Sequence, residues 1–225
     1  MKANSILVTG FEPYGGREGN PAHEAMKALD GRILNGCSVV GRGLPVSLSG
    51  MKSKMQTLID EIDPAAVIGL GLWPGEAMIR LERAGINLAD FEIADNEGLL
   101  LRDAPVSESI VSSRWATLPL RAIETALLAN GIPARTSSTA GTFLCNACLF
   151  TLMESLSARA SSIPAGFIHL PYMPEQVAQF LSDMRLARGM ELHQRADIAS
   201  MELSRSVRAI EIAITTTLQN IGRAE

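Results

Sequence analysis

The chain has few aromatic residues, few histidines and few cysteines, and no run of a single charge. Phe, Trp and Tyr make up only 4 % of its 225 residues, so Leu, Ile, Val, Ala and Met must fill any core it builds. Its three cysteines are too few, and odd in number, for a disulfide framework. In a reducing compartment such thiols are either packing or chemistry. No cluster of Lys and Arg appears, and the net charge is -4. Binding to nucleic acid or to a membrane surface therefore has no electrostatic support. No apolar stretch nears the roughly 18 residues that a spanning helix needs. Met1–Gly10 is too short and too polar for a signal peptide. These absences predict a soluble, cytoplasmic protein.

What is present is alternation of strand and helix patterns in a chain that is 47 % hydrophobic, enough for a sizeable core. Residues 1–225 fit one large domain, without visible repeat or linker. Strands are predicted at 5–10 (SILVTG), 37–46, 64–72, 134–143 and 166–170 (GFIHL), and a less regular one across 77–91. Helices are predicted from Asn20-Pro21 to Leu29, with Asn as N-cap and Pro at the first helical position. Others follow over 49–62, 118–130, 145–156 and most of 175–221. DNEG, at 95–98, is a turn. The pattern implies an α/β fold: an open α/β/α sandwich with a mainly parallel twisted sheet and helices on both faces. In such folds ligands bind beyond the C-terminal strand ends.

Four places could carry chemistry. The loop TGFEPYGG lacks the spacing of a phosphate cradle, but it puts Phe11 and Tyr14 just past a strand end, where a pocket wants apolar walls. TAGTFLCNACLF holds Cys145 and Cys148 at a strand-to-helix junction. The pair reads as a redox C-x-x-C, as buried filling, or as one nucleophile, Cys145, activated by the helix N-terminus. Zinc would need two further ligands that the chain supplies only as Cys37 and scattered histidines. His169 ends a buried strand before a proline; it is either a satisfied core histidine or a general base. His23 and His193 fall in charged helical contexts and read as solvated. Glu82, beside Arg80 and Arg83, is either part of a surface ion pair or a carboxylate that orients a histidine.

Four separated segments carry a resemblance to the pyroglutamyl peptidase I family of cysteine exopeptidases: ILVTGFEPYGGREGNP (6–21), LERAGIN…DNEG (81–98), STAGTFLCN (138–146) and GFIHLPYMPEQ (166–176). They stand in the family's order and spacing. The resemblance implies Cys145 as nucleophile, His169 as base and Glu82 as the third member of a Cys-His-Glu triad, with Cys148 outside the pattern. It implies a thioester acyl-enzyme and, as substrates, peptides with N-terminal pyroglutamate, a flat uncharged lactam. Phe11, Tyr14, Phe143, Ile93 and Leu144 would bind it, and Asn20 would be structural. It implies no cofactor and no metal, and a homo-oligomer, dimer or tetramer.

The chain departs from the pattern in places. Many bacterial members carry a Q-x-G-x-R-like segment where this chain reads LWPGEA (72–77), so Glu76 reverses a charge. EIADN stands where R-I-P-D-N is usual, Tyr14 where Phe is, and Val46 where Thr is. Two alternatives remain at this point: a thiol–disulfide oxidoreductase using Cys145 and Cys148, and a non-catalytic member of the fold.

Overall fold

A computed structural model describes residues 5–186 and 198–221. The apolar run Ser5–Phe11 forms β1, and Asn20 caps α1 (Pro21–Leu29), its side chain accepting from the Ala22 N–H. A two-residue arm, β2 (Ile33–Leu34), turns into β3 (Cys37–Leu44). Ser47 caps α2 (Leu48–Ile62) through the Gly50 N–H, and β4 (Ala66–Leu72) follows, buried throughout. The irregular stretch after it is not one strand. It divides into β5 (Ile79–Glu82) and β6 (Ala84–Ile86), and β6 leaves the main sheet to pair with β7 (Ser113–Trp115).

Next come α3 (Leu120–Ala129), β8 (Ala134–Ser137), α4 (Leu144–Ala158), β9 (Ala165–Leu170), α5 (Pro174–Leu186) and α6 (Leu203–Ile221). The helix expected over most of 175–221 is thus two helices, and the part of it at 187–197 lies outside the described residues. So does His193.

The main sheet runs β2-β3-β1-β4-β9-β5-β8. The pairs β1–β3, β1–β4, β4–β9 and β5–β8 are parallel, whereas β5 runs antiparallel to β9. The expected α/β sandwich with a mainly parallel sheet is therefore what forms. Side chains alternate across each strand, and both faces are covered. Ile6, Val8, Ile68, Leu70, Ile79, Leu81, Ile168 and Leu170 face a cluster with α1, α3 and α6. Leu7, Phe11, Val67 and Phe167 face the opposite cluster, with α2 and α4.

That second face carries the chemistry. Register places Gly71, His169, Arg80 and Arg135 in one row across β4, β9, β5 and β8. Gly69, Phe167, Glu82 and Ser137 form the next row. Helix α1 closes against the other face so tightly that a Cβ on Gly10 would overlap the Ala22 carbonyl, lying 2.7 Å from its carbon. Because that neighbour is backbone, it cannot rotate aside. Gly10→Ala should cost about 1–3 kcal/mol, read as a lower urea midpoint with an unchanged m-value.

Candidate active site

β1, β4 and β9 are parallel, so their C-terminal ends meet on one edge. Phe11, Leu72 and Leu170 end these strands, with His169 one residue earlier. A cleft of about 380 Å³ opens there, lined among others by Phe11, Tyr14, Trp73, Phe143, Cys145 and His169. All eight residues expected at the site are in or beneath it. Ile93 lies at its exposed rim, and Leu144 contributes little wall because its side chain is buried in the core. Glu82 sits below His169, fully buried.

Cys145 is the second residue of α4. The helix starts without a side-chain cap, since Phe143 occupies the N-cap position. By helix geometry the N–H groups of Leu144, Cys145 and Asn146 have no intrahelical acceptor, so they are free to face an anion. Asn146 anchors this first turn. Its Oδ1 accepts from the Ile86 N–H at 2.8 Å, and its Nδ2 donates to the Ile86 and Leu88 carbonyls at 2.9 Å. The thiol rests on the sheet where β4 has no side chain: a Cβ on Gly71 would lie 2.7 Å from Sγ. Gly71 is the register partner of His169, so the sulfur lies over the strand position beside the imidazole. Cys148, one turn on, is wholly buried in the α2–α4 core, and both thiols are free. A resolving cysteine has to be reachable, so the redox reading loses its second member.

His169 and Glu82 are joined at 2.8 Å, Nδ1 to Oε1. With Glu82 ionised, Nδ1 donates, which leaves Nε2 as the acceptor. Glu82 does not belong to a surface pair. Arg80, only 5 % exposed, donates from Nε to the same Oε1 at 3.0 Å. Nor is His23 solvated: its Nδ1 is buried between α1 and β3 without a partner, near Gly43. Trp73, in the turn after β4, stands edge-on to His169 with centroids 5.1 Å apart.

The loop holding Phe11 and Tyr14 is tied from several directions. Glu12 accepts from the Val46 N–H at 3.0 Å, and Asn20 Nδ2 donates to the Glu12 carbonyl at 3.1 Å. Asn96 donates to the Pro13 carbonyl at 3.1 Å, and Gln176 to that of Gly19 at 3.1 Å. Asn20 is thus both helix cap and loop tie. Tyr14 packs on Phe143 at 6.1 Å, and Phe143 meets Phe91 edge-on at 4.8 Å.

Burial governs the proton positions. It pushes the Cys145 thiol well above its usual range, and Cys148 and Glu82 add to the rise. The expected lowering by the helix start is outweighed. Burial lowers His169, against the hydrogen bond and charge of Glu82 that raise it. Burial also works against ionisation of Glu82, but the hydrogen bond and charge of His169, Ser137 and the charge of Arg80 outweigh it and hold the carboxyl low. Burial and Cys145 push the Tyr14 phenol up to about 12, so its hydroxyl stays neutral. Burial thus disfavours charge on both the thiol and the imidazole, while the glutamate beneath is held in its ionised form.

Sequence reasoning missed Trp73, Arg17, Asp90, Glu92 and Thr142 in the cleft, because they sit in loops without a periodic signal. Among the described residues no group of three His, Cys, Asp or Glu side chains could hold a metal.

The chain is similar over nearly its whole length to proteins of one family. A family model described as pyroglutamyl peptidase matches residues 4–220. A pyrrolidone-carboxylate peptidase of Bacillus cereus is 36 % identical over 217 residues, covering 96 % of this chain and 94 % of its own. One from Escherichia fergusonii is 41 % identical over 174 residues, covering 77 % and 81 %. The solved pyrrolidone carboxyl peptidase of Thermococcus litoralis superposes with a TM-score of 0.89 at 36 % identity, over 99 % of this chain and 96 % of that one. A mutant form from Pyrococcus furiosus gives 0.88 at 33 %, over 96 % and 99 %.

A pH dependence of stability follows. Both His169 and Glu82 have folded pKa values below their unfolded ones, so the unfolded chain binds more protons on acidification. Their contribution is complete above the unfolded histidine value of about 6.5. It should fall as pH drops, first through His169 and then through Glu82. Urea midpoints at pH 7.5, 5.5 and 4 should decline in that order.

Proposed function

The chain belongs to the pyroglutamyl peptidase family, and from that premise we propose that it is a cysteine exopeptidase releasing N-terminal pyroglutamate from peptides. One observation carries the residue assignment. The Glu82–His169 hydrogen bond of 2.8 Å lies in the sheet face on which the Cys145 sulfur rests, at the floor of an aromatic cleft. Cys145 is the nucleophile, His169 the base and Glu82 the group that orients and stabilises the imidazolium.

The lactam enters between Phe11, Tyr14 and Phe143, whose flat apolar surfaces suit an uncharged ring. Ile93 closes the rim and Leu144 backs the wall. Nε2 of His169 takes the Cys145 proton as sulfur attacks the pyroglutamyl carbonyl. The free N–H groups at the start of α4 receive the oxyanion. The intermediate collapses to a thioester as His169 returns that proton to the leaving amine. Water, deprotonated by His169, then hydrolyses the thioester and restores the thiol.

The whole chain works as one peptidase domain, a reading supported by a single main sheet with core on both faces. Assembly into a homodimer or homotetramer is supported by large apolar side chains left exposed between β6 and α3, among them Leu100, Ile110 and Trp115. Cytoplasmic residence is supported by the free cysteines.

Freshly reduced protein should release a reporter amine from a pyroglutamyl amide. Cys145→Ala and His169→Ala should abolish this, whereas Cys148→Ala should keep most of the turnover. Absence of turnover in the wild type would remove the substrate assignment; loss in Cys148→Ala with a native fold would restore the redox alternative.

A further inference from the structure

Arg80 is a buried cation that the reaction above does not use. It is the cross-strand partner of His169 in the antiparallel β5–β9 pair, where side chains share a face and stand close together. Its five donors are almost fully engaged. Nε reaches Glu82 Oε1 at 3.0 Å; Nη2 reaches Ser137 Oγ at 2.6 Å and the Thr139 carbonyl at 2.8 Å; Nη1 lies 3.5 Å from Glu76 Oε2. The flat guanidinium also lies 3.6 Å from the centre of the Trp73 ring, and Trp73 is the wall beside the imidazole.

Glu76 completes the arrangement. Its Oε2 accepts from Arg135 Nη2 at 2.6 Å as well as facing Arg80. Glu76, the acidic residue of LWPGEA, is thus paired with cations of β5 and β8. An acid at 76 and a base at 80 neutralise one another beside the triad, with Arg135 as the outer cation.

We infer that Arg80 is a positioning residue of this site. Its guanidinium fixes the Glu82 carboxylate under His169, sets Trp73 against the imidazole, and is itself held and balanced by Glu76. This rests on the triad reading above. Glu82 Oε1 is shared between Arg80 and His169, so the cation fixes the oxygen that orients the base. A proton on His169 would place like charges side by side in one strand row, which destabilises such a pair. Arg80 thus opposes protonation of His169, and Glu76 moderates Arg80.

Among the described residues, few charged and titratable groups surround the imidazole. Arg80 and Glu82 come from β5, Glu76 from the β4–β5 turn, Arg135 from β8, Cys145 from α4 and Tyr14 from the first loop. Arg80, Arg135 and Glu76 can each be substituted while Cys145, His169 and Glu82 are kept.

The experiment compares Arg80→Gln, Arg80→Lys and Glu76→Gln with the wild type by NMR titration of the His169 imidazole, assigned with His169→Gln, and by the acid limb of kcat/KM. Arg80→Gln should raise the imidazole pKa and the acid limb by about one unit and lower kcat roughly tenfold. Glu76→Gln should shift both downward. Arg80→Lys should restore the wild-type limb but not kcat, because one ammonium cannot serve Glu82, Ser137 and Thr139 in the geometry of the fork.

Shifts of the same sign for Arg80→Gln and Glu76→Gln, or no shift in either folded variant, would overturn the inference. Where Arg80→Gln fails to fold, Glu76→Gln decides alone: a downward shift supports it, and none or an upward one rejects it. The imidazole titration needs no turnover. Failure of the wild type to cleave the amide would therefore count against the triad reading and leave the role of Arg80 still tested.

Discussion

The site depends on one close approach, that of the start of α4 to a sheet face left bare at Gly69 and Gly71. A Cβ at Gly69 would come within 2.6 Å of the Phe167 ring, and one at Gly71 within 2.7 Å of the Cys145 sulfur. Two absent methyl groups let Phe167 lie flat across β4 and let the helix deliver its thiol to the imidazole row. The strand's other face carries Ala66, Ile68 and Leu70, so β4 keeps its packing against α1 while its glycines make room for α4. Asn146 then fixes the height of the helix by binding three backbone groups of the adjoining β6 segment.

From that approach the electrostatics follow. Taking a thiol, an imidazole, a carboxylate and a guanidinium out of water together makes each one's charge depend on its neighbours. The Glu82 carboxyl is held low by His169 and Arg80, which both bond its Oε1, while burial raises the thiol and lowers the imidazole. The cleft above is walled by Phe11, Tyr14 and Phe143 and also lined by Arg17, Asp90 and Glu92. The wall is fastened by Glu12, Asn20, Asn96 and Gln176.

Much of this was legible in the sequence, for physical reasons. SILVTG, AVIGLGL and GFIHL are short apolar runs because both of their faces are buried, and Asn20-Pro21 announces a helix because cap and first turn have strict chemistry. β2 and β7 were not legible because two or three residues carry no period. IRLE misled in a particular way. Its alternation of apolar and charged residues is the pattern of a half-exposed strand, yet all four positions are buried. The polar face looks into the active site instead of into water, so Arg80 and Glu82 resembled a surface pair. Spacing alone also left Cys145 and Cys148 equivalent; one turn of helix separates a sulfur at the cleft from one in the core. Trp73 gave no signal because a turn residue has no periodic neighbour.

The order of the strands has one more consequence, for synthesis and folding. β9 lies between β4 and β5, so the hydrogen-bonding edges of both remain open until nearly the last quarter of the chain has been made. Glu82 precedes its histidine partner by 87 residues, and Arg80, two positions away, is the countercharge already at hand during that interval. The strand that closes the sheet is also the one that brings the base. Until β9 is in place, Cys145 and Glu82 therefore belong to a chain whose sheet still lacks the strand bearing His169.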